Sequence, residues 1–269
     1  MEIPSVKLNT GMSMPVLGLG TWRLTGEACV ETVRTALKLG YRHIDTAEHY
    51  GNHRHVAEGI YDFERSSIFL TTKLWRDYLH REQVRSECER ALKELDTDYI
   101  DLYLIHWPNK EVPISETLEA MQKLRDDGMV RSIGVSNFTI KHLEEAMETG
   151  IQISANQVEF HPHLYQKELL EFCRKAGIVI TAYSPLAHGG IMKDPVLREI
   201  ADSLHKTPAQ VSLKWLLSKG TVAIPKASSE EHLRQNMDIF GWELSAEDIA
   251  KIDSIKTNER FNNPPYSEF

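Results

Sequence analysis

The chain alternates between short apolar runs and longer segments in which apolar residues recur at helical spacing. Runs such as Ser67–Leu70, Tyr99–Ile105 and Ile178–Ile180 carry the β-branched and aromatic residues that strands favour. This alternation is typical of a parallel sheet covered by helices. Eight strands are predicted, near residues 16–20, 42–45, 67–71, 100–105, 131–135, 153–158, 178–182 and 221–224.

Amphipathic segments separate these strands, and several of them end at a glycine, which suits the left-handed end of a helix. Eight strands suggest closure into a barrel, so the sequence predicts one α/β domain over residues 1–269, a (β/α)8 TIM barrel. Val6–Asn9 and Met12–Met14, joined by a Thr10-Gly11 turn, predict a hairpin at the bottom of the barrel. Helices are predicted near residues 27–39, 53–61, 81–94, 115–127, 139–149, 165–176, 195–218 and 230–238, with stops at Gly40, Gly128, Gly150, Gly177 and Gly220.

Composition excludes several classes of protein. The formal net charge is -8 and no cluster of Lys and Arg occurs, so a nucleic-acid partner is not expected. The start lacks a basic segment followed by an apolar run, and no run of about 18 apolar residues occurs. We therefore expect a cytoplasmic protein without a membrane span. Cys29, Cys88 and Cys173 are far apart and odd in number, so they are interpreted as reduced packing residues.

Polar residues follow three neighbouring predicted strands, where catalytic groups of a barrel are expected. Asp45 and Tyr50 follow the second strand, Lys73 ends the third, and His106 ends the fourth. A Tyr hydroxyl can protonate an alkoxide, and a nearby Lys lowers its pKa from an ordinary value of about 10. Asp45 would hold Lys73 charged, and His106 would orient a carbonyl oxygen. The set suits carbonyl reduction, since no Ser or Cys nucleophile accompanies the His.

Each of these residues also has an ordinary structural interpretation. Tyr50 alone is a half-buried aromatic, His106 a hydrogen-bonded strand-end histidine, and Lys73 with Asp45 a structural ion pair. Glycoside hydrolysis needs two facing carboxylates, for which Asp45 and Glu159 are the candidates. A metal-dependent hydrolase is a further alternative because several histidines cluster near the second strand, although no carboxylate pair completes a ligand set. These histidines are His43, His49, His53 and His55.

Seven groups of motifs follow one another along the chain from residue 6 to about 255. They are Gly18-Leu19-Gly20-Thr21-Trp22, Gly40–Ala47 with Tyr50-Gly51-Asn52, Lys73-Leu74-Trp75, Asp98–Leu102 with His106-Trp107-Pro108, Gly134–Phe138, Asn156–Glu159 and Tyr183–Leu186. With this ordered set the whole chain resembles the aldo-keto reductase family, in its prokaryotic type with a short C-terminal tail. The resemblance implies that Tyr50 is the general acid, supported by Asp45, Lys73 and His106, and that the protein is a monomer acting on a small carbonyl substrate. A non-catalytic relative that senses nicotinamide for a channel partner is the alternative, against which the intact tetrad argues.

No Gly-x-Gly-x-x-Gly follows a strand, so a Rossmann site is not indicated. The resemblance instead implies a nicotinamide dinucleotide across the barrel mouth. Ser136, Asn137 and Gln157 match the residues that hold the carboxamide, and Tyr183 matches the aromatic that stacks on the ring. Ordinary strand-end hydrogen bonding is the alternative for Asn137 and Gln157. The other matched cofactor positions are Gly20, Thr21, Trp22, Asp45, Ser184, Pro185, Leu186, Lys226, Ser228, His232, Gln235 and Asn236.

The loop after the eighth strand leads into a helix that Ser228 or Ser229 would cap. In the family this loop binds the 2′-phosphate of NADPH, usually through Lys, Ser and Arg. Lys226 is kept here, but Ala227 replaces the Ser and His232 replaces the Arg. Because a permanent bidentate cation is lost, we expect NADPH to be used and NADH to be used detectably.

Three tryptophans that follow strand ends resemble the family's aromatic wall around the carbonyl, and such a wall favours apolar or aromatic aldehydes. The loop after the fourth strand is short, and only about a dozen residues follow residue 255. An open, permissive pocket is therefore expected. The residues predicted to line it are Trp22, Tyr50, Trp75, His106 and Trp107.

Overall fold

The computed structural model describes residues 3–269, in which eight parallel strands form the predicted barrel. Each strand pairs with its neighbours in chain order from β3 to β10. The first and last strands meet where Leu17 bridges Ala223, with Gly18 N donating to Ala223 O at 2.9 Å. The barrel strands are β3 Leu19–Gly20, β4 His43–Asp45, β5 Phe69–Leu74, β6 Ile100–Ile105, β7 Val130–Ser136, β8 Ala155–Glu159, β9 Val179–Tyr183 and β10 Val222–Ala223.

The predicted N-terminal hairpin is confirmed, with β1 (Ser5–Lys7) paired antiparallel to β2 (Ser13–Pro15). Leu8 and Met14 are buried in one apolar cluster with side chains of the barrel interior. Thr10 Oγ1 also lies 2.8 Å from Ser132 Oγ. The hairpin therefore covers the bottom of the barrel and leaves the opposite, carboxyl end of the strands for chemistry.

Ten α-helices lie within residues 3–269, rather than the eight that the sequence predicts. The helix predicted over 195–218 is wrong, because it is two helices separated at His205, which has a left-handed φ of 53°. Thr207 caps the second of these, and Pro208 fits its first turn, where no amide donor is needed. No helix among residues 3–269 is long and apolar enough to cross a membrane. The helices are α1 Gly26–Leu39, α2 His53–Ile60, α3 Arg81–Leu95, α4 Ile114–Asp126, α5 Ile140–Glu148, α6 Lys167–Lys175, α7 Pro195–Leu204, α8 Pro208–Ser218, α9 Glu230–Met237 and α10 Ala246–Asp253.

The helix that sequence reasoning missed, α10, has a clear start signal. Ser245 accepts from Asp248 N at 3.0 Å, while the Asp248 carboxylate accepts from the Ser245 amide. This capping box satisfies two amides at the helix start. The five predicted glycine stops all have positive φ, from 70° at Gly177 to 108° at Gly40.

The main apolar core lies between the strands and the surrounding helices, as two packed layers require. Cys29, Cys88 and Cys173 are free and buried in this core, which confirms their interpretation as packing residues. Burial raises the pKa of the Cys29 thiol to about 11, so the reactive thiolate form is disfavoured.

Barrel closure predicts a stability effect at Gly20. A Cβ atom there would lie 2.7 Å from the backbone oxygen of Ile224, and backbone cannot move aside cheaply. Gly20→Ala should lower the free energy of unfolding by about 1–3 kcal/mol, measured by urea denaturation. Gly190→Ala is the control, because its Cβ would meet only side-chain atoms at 3.7 Å or more. Equal changes in the two variants would contradict a role for Gly20 in closure.

Candidate active site

The Lys73 and Asp45 side chains form a buried ion pair at the carboxyl end of the barrel. Lys73 Nζ lies 2.6 Å from Asp45 Oδ1, and it also donates to Thr46 O at 2.8 Å. The two residues are 0% and 1% exposed. They lie on the adjacent strands β4 and β5. The ends of these strands place both side chains at the same height along the barrel axis. The predicted pairing is therefore present.

Tyr50 is brought to this pair by a one-turn 3₁₀ helix, Glu48–Tyr50, that follows β4. The turn ends at Gly51, whose φ of 64° suits glycine. Lys73 Nζ donates to Tyr50 Oη at 3.3 Å. Because the phenol oxygen accepts from an ammonium, its own hydrogen is free to point elsewhere. The arrangement makes Tyr50 a proton donor directed away from the ion pair.

The protonation states follow from burial and charge. Burial raises the pKa of Asp45 and lowers that of Lys73, and the ion pair opposes both shifts. Burial, and then the charge of Asp45, raise the pKa of Tyr50 well above its ordinary value. This differs from the lowered pKa that the sequence predicts, because desolvation of the phenol and the charge of Asp45 both disfavour the phenolate. Tyr50 is protonated at neutral pH, as a proton donor must be.

His106 completes the predicted set of four. It follows β6, where its amide donates to Leu74 O at 3.0 Å, and its ring meets the Tyr50 ring edge-on at 5.7 Å. Burial, followed by the charges of Lys73 and His49, holds the pKa of His106 well below its ordinary value. His106 is therefore a neutral imidazole. Its Nδ1 is buried without a hydrogen-bond partner among residues 3–269.

Gln157 and Ser136, predicted to hold a nicotinamide carboxamide, adjoin the ion pair. Gln157 Nε2 donates to Asp45 Oδ2 at 2.7 Å, so both carboxylate oxygens of Asp45 are hydrogen-bonded. Ser136 Oγ donates to Gln157 O at 2.8 Å. The amide and hydroxyl groups thus form a polar layer beside the proton donor, and it matches the donors and acceptors of a carboxamide.

Asn137 and Tyr183 extend this layer. Asn137 has a left-handed φ of 61° that turns its side chain to donate to His106 O at 2.9 Å. Tyr183 Oη donates to Asn137 Oδ1 at 2.8 Å. The ordinary hydrogen bonding weighed for Asn137 and Gln157 is therefore present, and it fixes them next to His106 and Asp45.

The residues at the end of β3 have different surroundings. Gly20 meets the backbone after β10, so its place is set by barrel closure. Thr21 is buried and donates from Oγ1 to Asp45 O at 2.9 Å, which fixes the backbone of the ion pair. Trp22 is 42% exposed at the mouth.

The loop after β9 lies on the other side of the mouth. Ser184 has a left-handed φ of 47°, and its Oγ lies 3.2 Å from His188 Nε2. Pro185 O accepts from Ser212 Oγ at 2.9 Å, which ties the loop to α8. Leu186 packs against the core. These contacts fix the loop, while the Ser184 hydroxyl stays at the surface.

The loop between β10 and α9 carries the residues predicted for a 2′-phosphate. Ser229, rather than Ser228, caps the helix and accepts from His232 N at 3.2 Å. Lys226, Ser228 and His232 are exposed, whereas Ala227 is buried. Exposed cationic or neutral donors at a helix start suit a phosphate.

The rest of α9 is partly committed to local pairs. Arg234 Nη2 lies 2.6 Å from Glu230 Oε1, one turn earlier. Gln235 Nε2 donates to Glu231 Oε1 at 3.1 Å, while Asn236 is buried. Arg234 is therefore paired with Glu230 rather than standing in for the Arg that the family usually has at position 232.

The predicted aromatic wall is present beside Tyr50 and His106. The Trp22 ring lies 4.8 Å from Tyr50, and the Trp75 ring meets His106 edge-on at 5.2 Å. Trp107 is buried next to the C-terminal tail. An apolar surface therefore borders the proton donor on one side.

The C-terminal tail lies over this wall. Tyr266 meets Trp75 at 6.2 Å and Trp107 at 5.5 Å, both edge-on, and Phe269 meets Trp107 at 6.0 Å. The short tail therefore covers Trp107, while Trp22 is 42% exposed at the mouth, and the open pocket stays a prediction. Tyr266 and Phe269, the aromatic residues of the tail, were the sequence signal for its contact with Trp107.

Glu159, at the end of β8, anchors the tail. It is 0% exposed and accepts from the amides of Phe261 and Asn262, both at 2.8 Å, and from His161 Nε2 at 3.0 Å. Burial alone would raise the pKa of Glu159, but these hydrogen bonds lower it to about 2. Sequence reasoning missed this role, because a carboxylate contacting backbone amides about 100 residues away leaves no local pattern.

The four histidines near β4 do not converge. His43 faces Thr71 Oγ1 at 3.1 Å, while His53 lies between Thr72 Oγ1 at 2.8 Å and Glu94. His49 lies at the barrel mouth. Among residues 3–269, no group of three or more His, Cys, Asp or Glu is placed to hold a metal ion.

Comparison with known proteins gives the family. The profile described as "Aldo/keto reductase family" matches residues 16–257. The chain belongs to the aldo/keto reductase family. It is therefore an oxidoreductase of carbonyl compounds, with the reductase barrel.

Individual aldo/keto reductases match along nearly the whole chain. A Bacillus subtilis protein named glyoxal reductase is 44% identical over 265 residues, 97% of this chain and 96% of that protein. An aldo-keto reductase of Mycolicibacterium smegmatis is 42% identical, covering 97% of both chains. The solved aldose reductase of Schistosoma japonicum has a TM-score of 0.94 at 34% identity, covering 98% of this chain and 96% of that chain.

The Glu159 anchor predicts how the tail responds to a substitution. Glu159→Gln removes the charge that strengthens the bonds from Phe261 and Asn262, so the tail should detach more often. Trypsin cleavage after Arg260 should then be about tenfold faster, measured by mass spectrometry of peptide 261–269. Glu259→Gln is the control at a more exposed carboxylate. Equal cleavage of wild type and Glu159→Gln would argue against the anchor.

Proposed function

We propose that this aldo/keto reductase reduces aldehydes and ketones to alcohols with NAD(P)H, using Tyr50 as the general acid. The observation that supports this most strongly is the contact of Lys73 Nζ with both Asp45 Oδ1 and Tyr50 Oη. The ammonium donates to the phenol oxygen and so leaves the phenol hydrogen free, while burial keeps the phenol protonated. No other hydroxyl in the described site combines these two properties with a position beside a neutral imidazole.

Each residue has one part in the proposed reaction. A carbonyl oxygen accepts hydrogen bonds from Tyr50 and His106, which polarises the carbon. As the carbon is reduced, the Tyr50 proton moves to the oxygen and an alcohol forms. Lys73, held charged by Asp45, stabilises the phenolate left behind. The neutral state of His106 is consistent with this part, because a hydrogen bond does not require a charge.

The cofactor is proposed from the polar layer beside the ion pair. Ser136, Asn137 and Gln157 would hold the carboxamide, and Tyr183 would lie against the ring. When bound, the reduced nicotinamide supplies the hydride that reduces the carbonyl carbon. The fit rests on the layer's donors and acceptors, which adjoin Asp45 and His106 directly.

The α9 loop supports use of both phosphorylated and unphosphorylated cofactors. Lys226 and His232 are exposed and Ser229 caps the helix, so a 2′-phosphate has donors there. A guanidinium is absent at position 232, and Arg234 is paired with Glu230. NADPH is the proposed cofactor, with detectable use of NADH.

The proposal extends to small substrates and a monomeric cytoplasmic enzyme. The relative named glyoxal reductase supports a small carbonyl substrate. All four catalytic groups come from one chain, which supports activity as a monomer. Three free, buried cysteines are consistent with a reducing compartment.

Removal of the Tyr50 hydroxyl tests the general acid. Tyr50→Phe should lower kcat for aldehydes by about 10²–10⁴ because the proton donor is lost, measured as NADPH oxidation at 340 nm. Cofactor binding, followed by tryptophan fluorescence, should be retained. Tyr61→Phe is the control, since that residue is 79% exposed just after α2. If wild type binds cofactor but reduces no aldehyde or ketone, the sensing-subunit alternative replaces the reductase proposal.

Cofactor preference is tested at position 232. His232→Arg should shift the ratio of NADPH to NADH kcat/KM toward NADPH by about tenfold, since a guanidinium binds phosphate through two donors. His80→Arg adds the same side chain at an exposed site away from α9. An unchanged ratio in His232→Arg would refute the assignment of this loop to the 2′-phosphate.

A further inference from the structure

His49 lies immediately before the proposed proton donor, in the same 3₁₀ turn. Its ring stacks face-to-face on Trp75, with centroids 3.7 Å apart and planes 10° apart. The Trp22 ring lies nearly parallel to the imidazole, at 6.1 Å and 16°. The imidazole therefore packs against two indoles, which fixes its plane although the residue is exposed.

The 3₁₀ turn is itself tied to the base of Trp75. Glu48 Oε2 accepts from Trp75 N at 3.1 Å, and Arg90 pairs with the same carboxylate. The stacked pair of His49 and Trp75 therefore rests on a backbone contact as well as on ring packing. A fixed ring plane gives its nitrogens defined directions.

Within the described part of the chain, no contact found around the His49 ring occupies its nitrogens, so they are available to a ligand. The contacts found for its ring among residues 3–269 are with Trp22, Trp75 and the ring of His106. The indole N–H of Trp75 is already used, since it donates to Asp77 Oδ2 at 3.1 Å. His49 thus places a hydrogen-bonding group in an otherwise aromatic wall.

The distance between the His49 and His106 rings determines which atoms of a bound substrate the His49 ring can contact. The two imidazole centroids are 6.4 Å apart, at 76°. A hydrogen bond spans about 2.9 Å, so a carbonyl oxygen on Tyr50 and His106 leaves His49 within reach of an oxygen on the next carbon. A plain alkyl aldehyde presents only hydrogens there.

We infer that His49 is a specificity-determining residue that favours carbonyl compounds with an oxygen on the adjacent carbon, such as 1,2-dicarbonyls and 2-hydroxyaldehydes. The inference rests on the proposed function, because it assumes that the reacting carbonyl oxygen lies at Tyr50 and His106. The second oxygen bonds to the His49 ring, which orients the substrate along the Trp75 face.

The test compares matched substrates in matched variants. Methylglyoxal and propanal differ by one oxygen at the carbon next to the aldehyde, and glycolaldehyde and acetaldehyde form a second pair. His49→Phe keeps an aromatic ring beside Trp22 and Trp75 but removes both nitrogens. The ratio of kcat/KM within each pair should fall about fivefold, as expected for one lost hydrogen bond. His49→Gln keeps an N–H donor and should retain more of the ratio.

The controls separate this inference from a structural effect. His188→Phe makes the same substitution at another exposed, stacked histidine of the barrel mouth, and its ratios should equal those of wild type. Unchanged ratios in His49→Phe, or equal losses in His49→Gln and His49→Phe, would overturn the inference. Wild type that reduces none of the four aldehydes would instead refute the proposed function.

Discussion

The buried ion pair of Lys73 and Asp45 is the interaction on which the site depends. Two charges at 0% and 1% exposure are tolerated only because each is paired and further hydrogen-bonded. Removing one partner would leave an uncompensated charge, at a cost of about 3–5 kcal/mol. The surrounding groups, including Gln157 on Asp45 Oδ2 and Thr46 O on Lys73 Nζ, therefore belong to one network that also directs Tyr50.

The barrel supplies this network with its geometry. Asp45 and Lys73 come from adjacent strands, Gln157 from a strand across the barrel, and Tyr50 from a single turn after β4. The hairpin covers one end of the barrel, so polar groups are gathered at the other. Burial then sets their protonation: a protonated Tyr50 and a neutral His106 both follow from desolvation. The same low-dielectric surroundings strengthen every hydrogen bond within the site.

Substrate and cofactor selection are proposed to lie in more exposed residues around this fixed centre. His49 packs against two indoles on one side of the centre, and the tail held by Glu159 covers Trp107 nearby. His232 lies in the first turn of α9 at the surface. Changes at such positions alter binding without disturbing the ion pair, because they do not contact it directly. Because specificity and the ion pair are separate, the proposed specificity tests compare ratios of kcat/KM between two cofactors or two substrates. The test of the general acid instead measures the loss of kcat.

The sequence by itself determined the barrel, the hairpin and the four candidate catalytic residues. Apolar periodicity and strand-end motifs are local features, so they can be recognised without a structure. The wrong helix predictions also concern local signals. The helix break at His205 and the capping box of Ser245 are present in the sequence but were not recognised. Only the tertiary structure decided the raised pKa of Tyr50, the Glu159 anchor and the stacking of His49 on Trp75. Each of these arises from desolvation or from contacts between distant segments. The spacing of residues along the chain reveals neither burial nor long-range contacts.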